Sequence, residues 1–430
     1  MGDLGTADLL IRAGAGVNAA NDVGATPLYL ACTNRDAAMV QKLLTAGANP
    51  NAALLSGETV LMNCARTGNV EALKALIAHG ANVNAKELSH DQTALMWAAA
   101  QRHPEVVGAL VENGADVRAR SRIYNQTVTS EVTQRTGREQ LNYTVPRGGS
   151  TPLLFAARSG DAESVTVLVA AGADVNEALP NGTSALTLAA HSGHGAVAVA
   201  LLDKGADPNA AGVGYTALHA AVLRGDLDLV KALLAHGANP NLQTTKGTPV
   251  RRLSQDFDVP KTLIGATPYL LAAKYLEVEM MCVLAAAGAN PRLSLKDGTT
   301  LVMAAAGMGS DAKANRRNLS VFDGGKVEDE RRVVEAVTAA IDQGCDVNAA
   351  NQAGDTALHS AASMGYDAVV QLLADKGAQI NVKNARGQTP LGALTAPRSR
   401  AATAATAADP SRQITHPSTA DLLRKLGAIE

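Results

Sequence analysis

The sequence predicts an all-α protein built from a repeated helical hairpin, and three observations carry that prediction. A hydroxyl residue recurs as Thr26, Thr59, Thr93, Thr151, Ser184, Thr216, Thr267, Thr300, Thr356 and Thr389, in steps of 33, 34, 58, 33, 32, 51, 33, 56 and 33 residues. Each recurrence opens a unit of two short stretches with apolar residues at helical spacing. A stretch such as Gly47-Ala48-Asn49-Pro50-Asn51 then closes the unit. A period of 33 with three interruptions outranks any local motif as a sign of architecture.

Each element of the unit has a physical reason. Thr26 is suited to cap a helix, its hydroxyl accepting from a free backbone N–H of the first turn. Pro27 sits at the first helical position, where no useful donor is lost. Small pairs such as Ala31-Cys32, Ala98-Ala99 and Ala156-Ala157 let this first helix lie close to its neighbours. A second helix follows, with Val40, Leu43 and Leu44 in one copy and Val230, Leu233 and Leu234 in another. Gly47 ends it in a left-handed conformation that other residues resist. Asn51 and its equivalents lead into a tight turn towards the next Gly-x-Thr.

The Thr-Pro-Leu, Ala-Ala, Leu-Leu and Gly-Ala-x-x-Asn pieces at this period resemble ankyrin repeats. Thr216-Ala217-Leu218-His219-Ala220-Ala221 and Thr356-Ala357-Leu358-His359-Ser360-Ala361 are the closest copies of the first-helix motif. The resemblance covers most of Leu4 to Glu430, as about ten repeats plus an N-terminal half-repeat. It implies stacked helix–turn–helix units joined by β-turn fingers in a curved solenoid. It also implies the family's usual work, which is binding other proteins.

Composition fits that form. A solenoid of 430 residues needs no single large core. Aromatics are only 3%, as expected for thin Ala-rich hairpins in close contact. A net charge of −2 gives no global attraction to nucleic acid or a membrane surface. No stretch approaches the roughly 18 apolar residues of a membrane-spanning helix.

Taken in order, residues 4–21 read as a partial repeat: a second helix and its Gly cap, with Leu9, Leu10 and Ile11 exposed for want of a first helix. The expectation is that Met1 lies inside a longer natural chain. Residues 22–120 hold three repeats, with Arg118 in the usual Asn slot. Residues 121–148 form a finger insert that alternates like a hairpin. In it Tyr124, Val128 and Val132 share one face with Leu141, Tyr143 and Val145, around a turn at Arg135-Thr136-Gly137-Arg138. Three repeats fill 149–241, and a second finger insert runs over 242–264 with Lys246, Arg251, Arg252 and Lys261. Both inserts extend fingers into hairpin-like arms on one edge. Residues 265–391 hold three repeats and the start of the last, with a further insert at 307–330 between two helices. Residues 392–417 are a flexible Thr/Ala/Pro-rich insert. Residues 418–430 form a C-terminal cap helix, with Ser418 or Thr419 as its N-cap.

Chemistry is not found in the motifs. Cys32, Cys64, Cys282 and Cys345 each replace a small apolar residue, so they read as buried thiols and not as a disulfide framework. His219 and His359 occupy the repeat's own Thr-x-Leu-His slot, His79 and His236 precede capping glycines, and His191 and His194 fall between helices. None has ligand spacing, so no metal and no cofactor is expected. HExxH, Gly-x-Ser-x-Gly and phosphate-loop motifs are missing. The sequons at Asn125, Asn142, Asn181 and Asn318 read as chance matches.

The informative position is the variable one directly after the Thr-x-Leu-His slot, which faces the concave side in ankyrin-like stacks. It reads Leu30, Asn63, Trp97, Phe155, Leu188, Ala220, Leu271, Ala304 and Ser360. Trp97 is the only tryptophan and Phe155 one of three phenylalanines. Together they would form an apolar patch of the kind that marks a binding site. The expected function is a non-catalytic scaffold or adaptor, a monomer that binds another protein. Leu30, Trp97, Phe155, Leu188 and Leu271 would meet the partner in the groove. Arg120, Arg122, Tyr124, Arg135, Arg138, Tyr143, Arg251 and Arg252 would close over it from the fingers. No small-molecule substrate is expected. The alternative is salt-sensitive binding of an anionic polymer or surface through the arginines, against which the arms show few stacking aromatics. The default compartment is the cytoplasm, with export the alternative.

Overall fold

The computed structural model describes residues 3–134, 137–247, 261–308, 326–395 and 416–429. They fall into two compact units, Met1–Val213 and Gly214–Glu430. In the first, α1 (Leu4–Arg12) precedes five helical hairpins. These are α2 (Pro27–Thr33) with α3 (Ala37–Thr45), α4 (Val60–Thr67) with α5 (Val70–Ala78), and α6 (Ala94–Ala100) with α7 (Pro104–Glu112). After a two-stranded ribbon, β1 (Tyr124–Gln134) and β2 (Gly137–Arg147), come α8 (Pro152–Ser159) with α9 (Ala162–Ala170), then α10 (Ala185–Ser192) with α11 (Gly195–Asp203). The first helices α2, α4, α6, α8 and α10 pack in that order as one layer, and α3, α5, α7, α9 and α11 form the other.

The local chemistry is as the residues predict. Thr26 Oγ1 accepts from the Tyr29 N–H at 3.3 Å, and Thr59, Thr93, Thr151 and Ser184 cap their helices in the same way. The small pairs of these helices are buried, so the first layer closes at short range. Gly47 lies at φ 86°. The Ala48 N–H returns to Leu43 O and the Gly47 N–H to Leu44 O, which satisfies the last carbonyls of α3. Gly182 is required for a second reason: a Cβ there would stand 2.6 Å from the backbone of Gly212 in the next finger.

One expectation about the cysteines fails. Cys32 and Cys64 are joined in a disulfide that links α2 to α4, and both are fully buried. Cys32 takes the second place of the small pair in one repeat and Cys64 the first place in the next. These places face each other across the helix interface with Cα atoms 5.0 Å apart, within disulfide reach. Comparing each cysteine with its own repeat could not reveal a pairing between repeats. Cys282 is exposed and Cys345 half-buried, both as free thiols, so these two are not fully buried either. Burial raises the Cys345 thiol to about 11.

Asparagine does more than enter the turn. Asn51 Nδ2 donates to Gly80 O at 3.0 Å, and its Oδ1 accepts from the Asn82 N–H at 2.7 Å. Asn18 and Asn84 repeat this bridge to the following repeat. Arg118, in the same slot, reaches Gly172 O with Nε and an NH2 group, each at 3.2 Å. The residues between form the expected hairpin, antiparallel from Tyr124↔Arg147 to Gln134↔Gly137. At the other side of the stack α1 buries none of its residues, and Leu9 and Leu10 are exposed.

The second unit contains α12 (Ala217–Arg224), α13 (Leu227–Ala235), α14 (Pro268–Lys274), α15 (Val278–Ala286), α16 (Leu301–Ala305), α17 (Lys326–Asp342), α18 (Ala357–Met364), α19 (Asp367–Asp375), α20 (Pro390–Thr395) and α21 (Pro417–Lys425). Here too the even-numbered helices up to α20 make one layer and the odd-numbered ones the other. Helix α17 already includes residues 326–330, which were expected in the insert. In helix α21 His416, not Ser418 or Thr419, occupies the N-cap position, without a side-chain capping bond, and Pro417 is at the first helical position. Thr419 is buried instead and donates to Asp367.

His219 explains why histidine suits this repeat. It is fully buried, with Nε2 3.1 Å from Ala266 O. Facing a carbonyl, Nε2 must carry the proton. Nδ1 then accepts from the Thr216 hydroxyl at 2.8 Å and from the Thr216 N–H at 3.2 Å. His359 makes the same pair of links to Thr356 and Gln388 O. Each ring therefore joins its own helix cap to the finger of the following repeat.

Candidate partner-binding surface

The surface of interest lies on the first layer of the first unit. Trp97 on α6 and Phe155 on α8 are half-buried and stand on helices that pack directly together. Leu188, on the next helix α10, is 9% exposed. Asn63, in the same slot of α4, is fully buried and donates through Nδ2 to Tyr29 O at 3.0 Å and Thr33 Oγ1 at 2.7 Å. Its Oδ1 accepts from Arg66 at 2.8 Å. That bond holds the guanidinium over the Trp97 ring, 5.7 Å from its centroid. Behind it, Arg66 lies 3.6 Å from Glu58, which accepts from the Tyr29 hydroxyl at 2.7 Å. Burial, then Glu58, raises the Tyr29 phenol to about 12, so it stays a neutral donor.

Trp97 is thus stacked from one side, with its Nε1 buried. Among the described residues, its Nε1 has no hydrogen-bond partner.

The other groove residues are not brought to this point. Leu30, 50% exposed, opens onto an apolar cleft of about 290 Å3 with Leu10, Ile11, Val17, Met39 and Leu43. Leu271 belongs to the second unit, is fully buried, and offers no surface. Among the finger residues, Arg120 donates to Gly149 O at 2.9 Å and lies 3.8 Å from the buried Glu177. Glu177 accepts from the Thr151 hydroxyl, while its burial raises its pKa. Arg122 makes a two-pronged contact with Asp91, at 2.6 and 3.1 Å, which lowers the Asp91 pKa. Tyr124 is exposed, edge-on to His90 with ring centroids 5.4 Å apart. Arg138 pairs with Thr133, and Tyr143 with Val128, in the ribbon register. Arg135, Arg251 and Arg252 lie outside the described residues.

The sequence pattern places Asn63 in the variable slot but gives it no role, and it does not single out Arg66 or Glu58. A signal existed: Arg66 follows Thr59 by seven residues, as Arg158 follows Thr151, so both fill one repeat position. Among the described residues no group of His, Cys, Asp and Glu could hold a metal ion. No described helix is long and apolar enough to cross a membrane.

The stacked hairpins, capped by Thr and ended by Gly, define a helical repeat protein. Family models described as ankyrin repeats match residues 34–121, 153–244 and 330–395, together more than half of the chain, and another matches 95–169. The chain belongs to the ankyrin-repeat family, whose repeats are protein–protein interaction modules. It is similar to the human ankyrin repeat and SOCS box protein 16, 31% identical over 41% of this chain and 40% of that protein. It also resembles the E3 ubiquitin-protein ligase KEG of Arabidopsis thaliana, 26% identical over 56% of this chain and 16% of that protein. An ankyrin repeat-containing protein of Treponema pallidum is 40% identical over 27% of this chain and 41% of its own length. The chain therefore spans well under half the length of each of these relatives.

Proposed function

We propose that the chain is a non-catalytic scaffold that binds another protein on the first-helix face of its first unit, with Trp97 and Phe155 as the anchors. The observation that carries this reading is the half-exposed pair of scarce aromatics on adjacent helices α6 and α8. Arg66, held by Asn63, orients Trp97 in advance and reduces the ordering cost of binding. Salt-sensitive binding through the fingers has less support, because Arg120 and Arg122 are engaged within the chain.

The test is affinity capture from host lysate at low and high salt, with the intact chain beside Trp97→Ala/Phe155→Ala. A set of proteins that survives high salt and is lost from the double variant is expected. Trp97→Ala alone should weaken the purified complex by about thirtyfold, as a central aromatic anchor does. Capture that collapses with salt and ignores the double variant would move the function to the fingers.

A further inference from the structure

We propose that Cys32 and Cys64 are oxidised as the chain matures, by exchange with an external dithiol–disulfide oxidant, and that the protein works in an oxidising compartment. The cross-link then locks the α2–α3 hairpin onto the rest of the first unit. This inference is independent of the binding surface.

The placement of the two residues carries it. In the other repeats of the first unit, both places of the small pair are alanine: Ala98-Ala99, Ala156-Ala157 and Ala189-Ala190. Cysteine enters once in each of two adjacent repeats, at the second place in α2 and the first in α4. These are the two places that face each other, with Cα atoms 5.0 Å apart. Cys282 and Cys345 fall in other slots and remain thiols. Disulfides persist in oxidising compartments and are rare where thiol reductants are maintained.

Burial sets the order of events. Neither sulfur is accessible in the folded unit, so exchange must precede the closure of α2 on α4 or follow a local opening. One thiolate attacks the external disulfide, forming a mixed disulfide and releasing one thiol of the oxidant. The second thiolate then attacks the protein sulfur of that mixed disulfide and releases the other thiol. The chain gives up two protons and two electrons, and the oxidant takes up both. Once α4 covers the bond, a soluble thiol cannot reach it without opening the stack.

The position also explains the use. A repeat in a stack is held by its neighbours, so a cross-link between two of them couples their opening. The α2–α3 hairpin packs on α4–α5, while on its other flank Lys42 of α3 pairs with Asp8 of α1, a helix that buries no residue. Tying α2 to α4 makes this hairpin open with its neighbour and not before it.

The experiment starts with the full chain isolated from its natural host under acid quench. It is denatured, alkylated without reductant and mapped by mass spectrometry. Alkylation at Cys282 and Cys345 alone is expected, with one linked peptide containing Cys32 and Cys64. Alkylation at all four cysteines overturns the proposal. The lock is tested by hydrogen exchange on the oxidised chain beside Cys32→Ala/Cys64→Ala, which restores the alanines of the neighbouring repeats. Exchange in α2 and α3 should rise by about tenfold or more, with α8 unchanged. Equal exchange in the two proteins would leave a disulfide that locks nothing and would overturn that part.

Discussion

In the first unit, the slot four residues after the capping hydroxyl carries the exposed Leu30 and the half-buried Trp97 and Phe155, beside the buried Asn63 and Leu188. In the second unit the same slot carries the buried Ala220, Leu271, Ala304 and Ser360, and the small, half-buried Ala393. The units also tie their repeats together differently. The first has the covalent link between α2 and α4. The second has His219 and His359, each joining a helix cap to the following finger. One repeat can thus leave its variable slot open or closed, depending on whether neighbours cover it, and the proposed recognition uses the open form.

The largest effect that could break this comparison is on stability. Leu271→Ala should cost about 2–5 kcal/mol, because it empties a fully buried site. Denaturant unfolding followed by probes in each unit should place that loss in the second. Trp97→Ala should be far milder, since the residue is only half-buried and its buried N–H makes no hydrogen bond that the change would remove. A Trp97→Ala loss as large as that of Leu271→Ala would make Trp97 a core residue and end the contrast.

The next effect is acid sensitivity of the second unit. Burial lowers the His219 pKa from 6.5 to about 4, so the folded state keeps the ring neutral. Between those values the unfolded chain binds the proton and the folded chain does not, so stability rises with pH. The contribution is fully present above pH 6.5 and is lost as pH falls towards 4, to a total of about 3 kcal/mol. His219→Leu should remove this slope while costing stability at pH 7, because Ala266 O and the Thr216 cap lose their partner. Hydrogen exchange in α12 and α14 across this pH range measures it. An unchanged slope in the variant would assign the acid sensitivity to other groups.

How much of this was legible follows from what a repeat encodes. Thr26, Pro27, Gly47 and the small pairs act within a few residues of themselves, so the period announces helices, caps and turns directly. The alternation of 121–147 likewise announced the hairpin. What was not legible acts between repeats: the Cys32–Cys64 link, the Asn51 bridge and the His219 link each join residues about thirty or more positions apart. Burial of the variable slot was also hidden, because whether Leu271 or Trp97 meets solvent depends on the neighbouring hairpins and not on its own position. Arg120 and Arg122 looked like free basic side chains, since their partners Gly149 and Asp91 lie far off in the chain.

The smallest effect sharpens the comparison by predicting no difference. The asparagine bridge occurs in both units: Asn51 with Gly80 and Asn82, and Asn241 with Gly288 O at 3.0 Å and the Asn290 N–H at 2.7 Å. Both bridges are exposed, so water replaces much of what a substitution removes. Asn51→Ala and Asn241→Ala should therefore each cost about 1 kcal/mol, read as equal shifts in the denaturation midpoint of the unit concerned. Equal costs would mean that the units share their stacking rule and differ only in the slot, the histidines and the disulfide. A cost in one unit and none in the other would show that the stacking rule itself has diverged, and the contrast in exposure would then follow from packing and not from recognition.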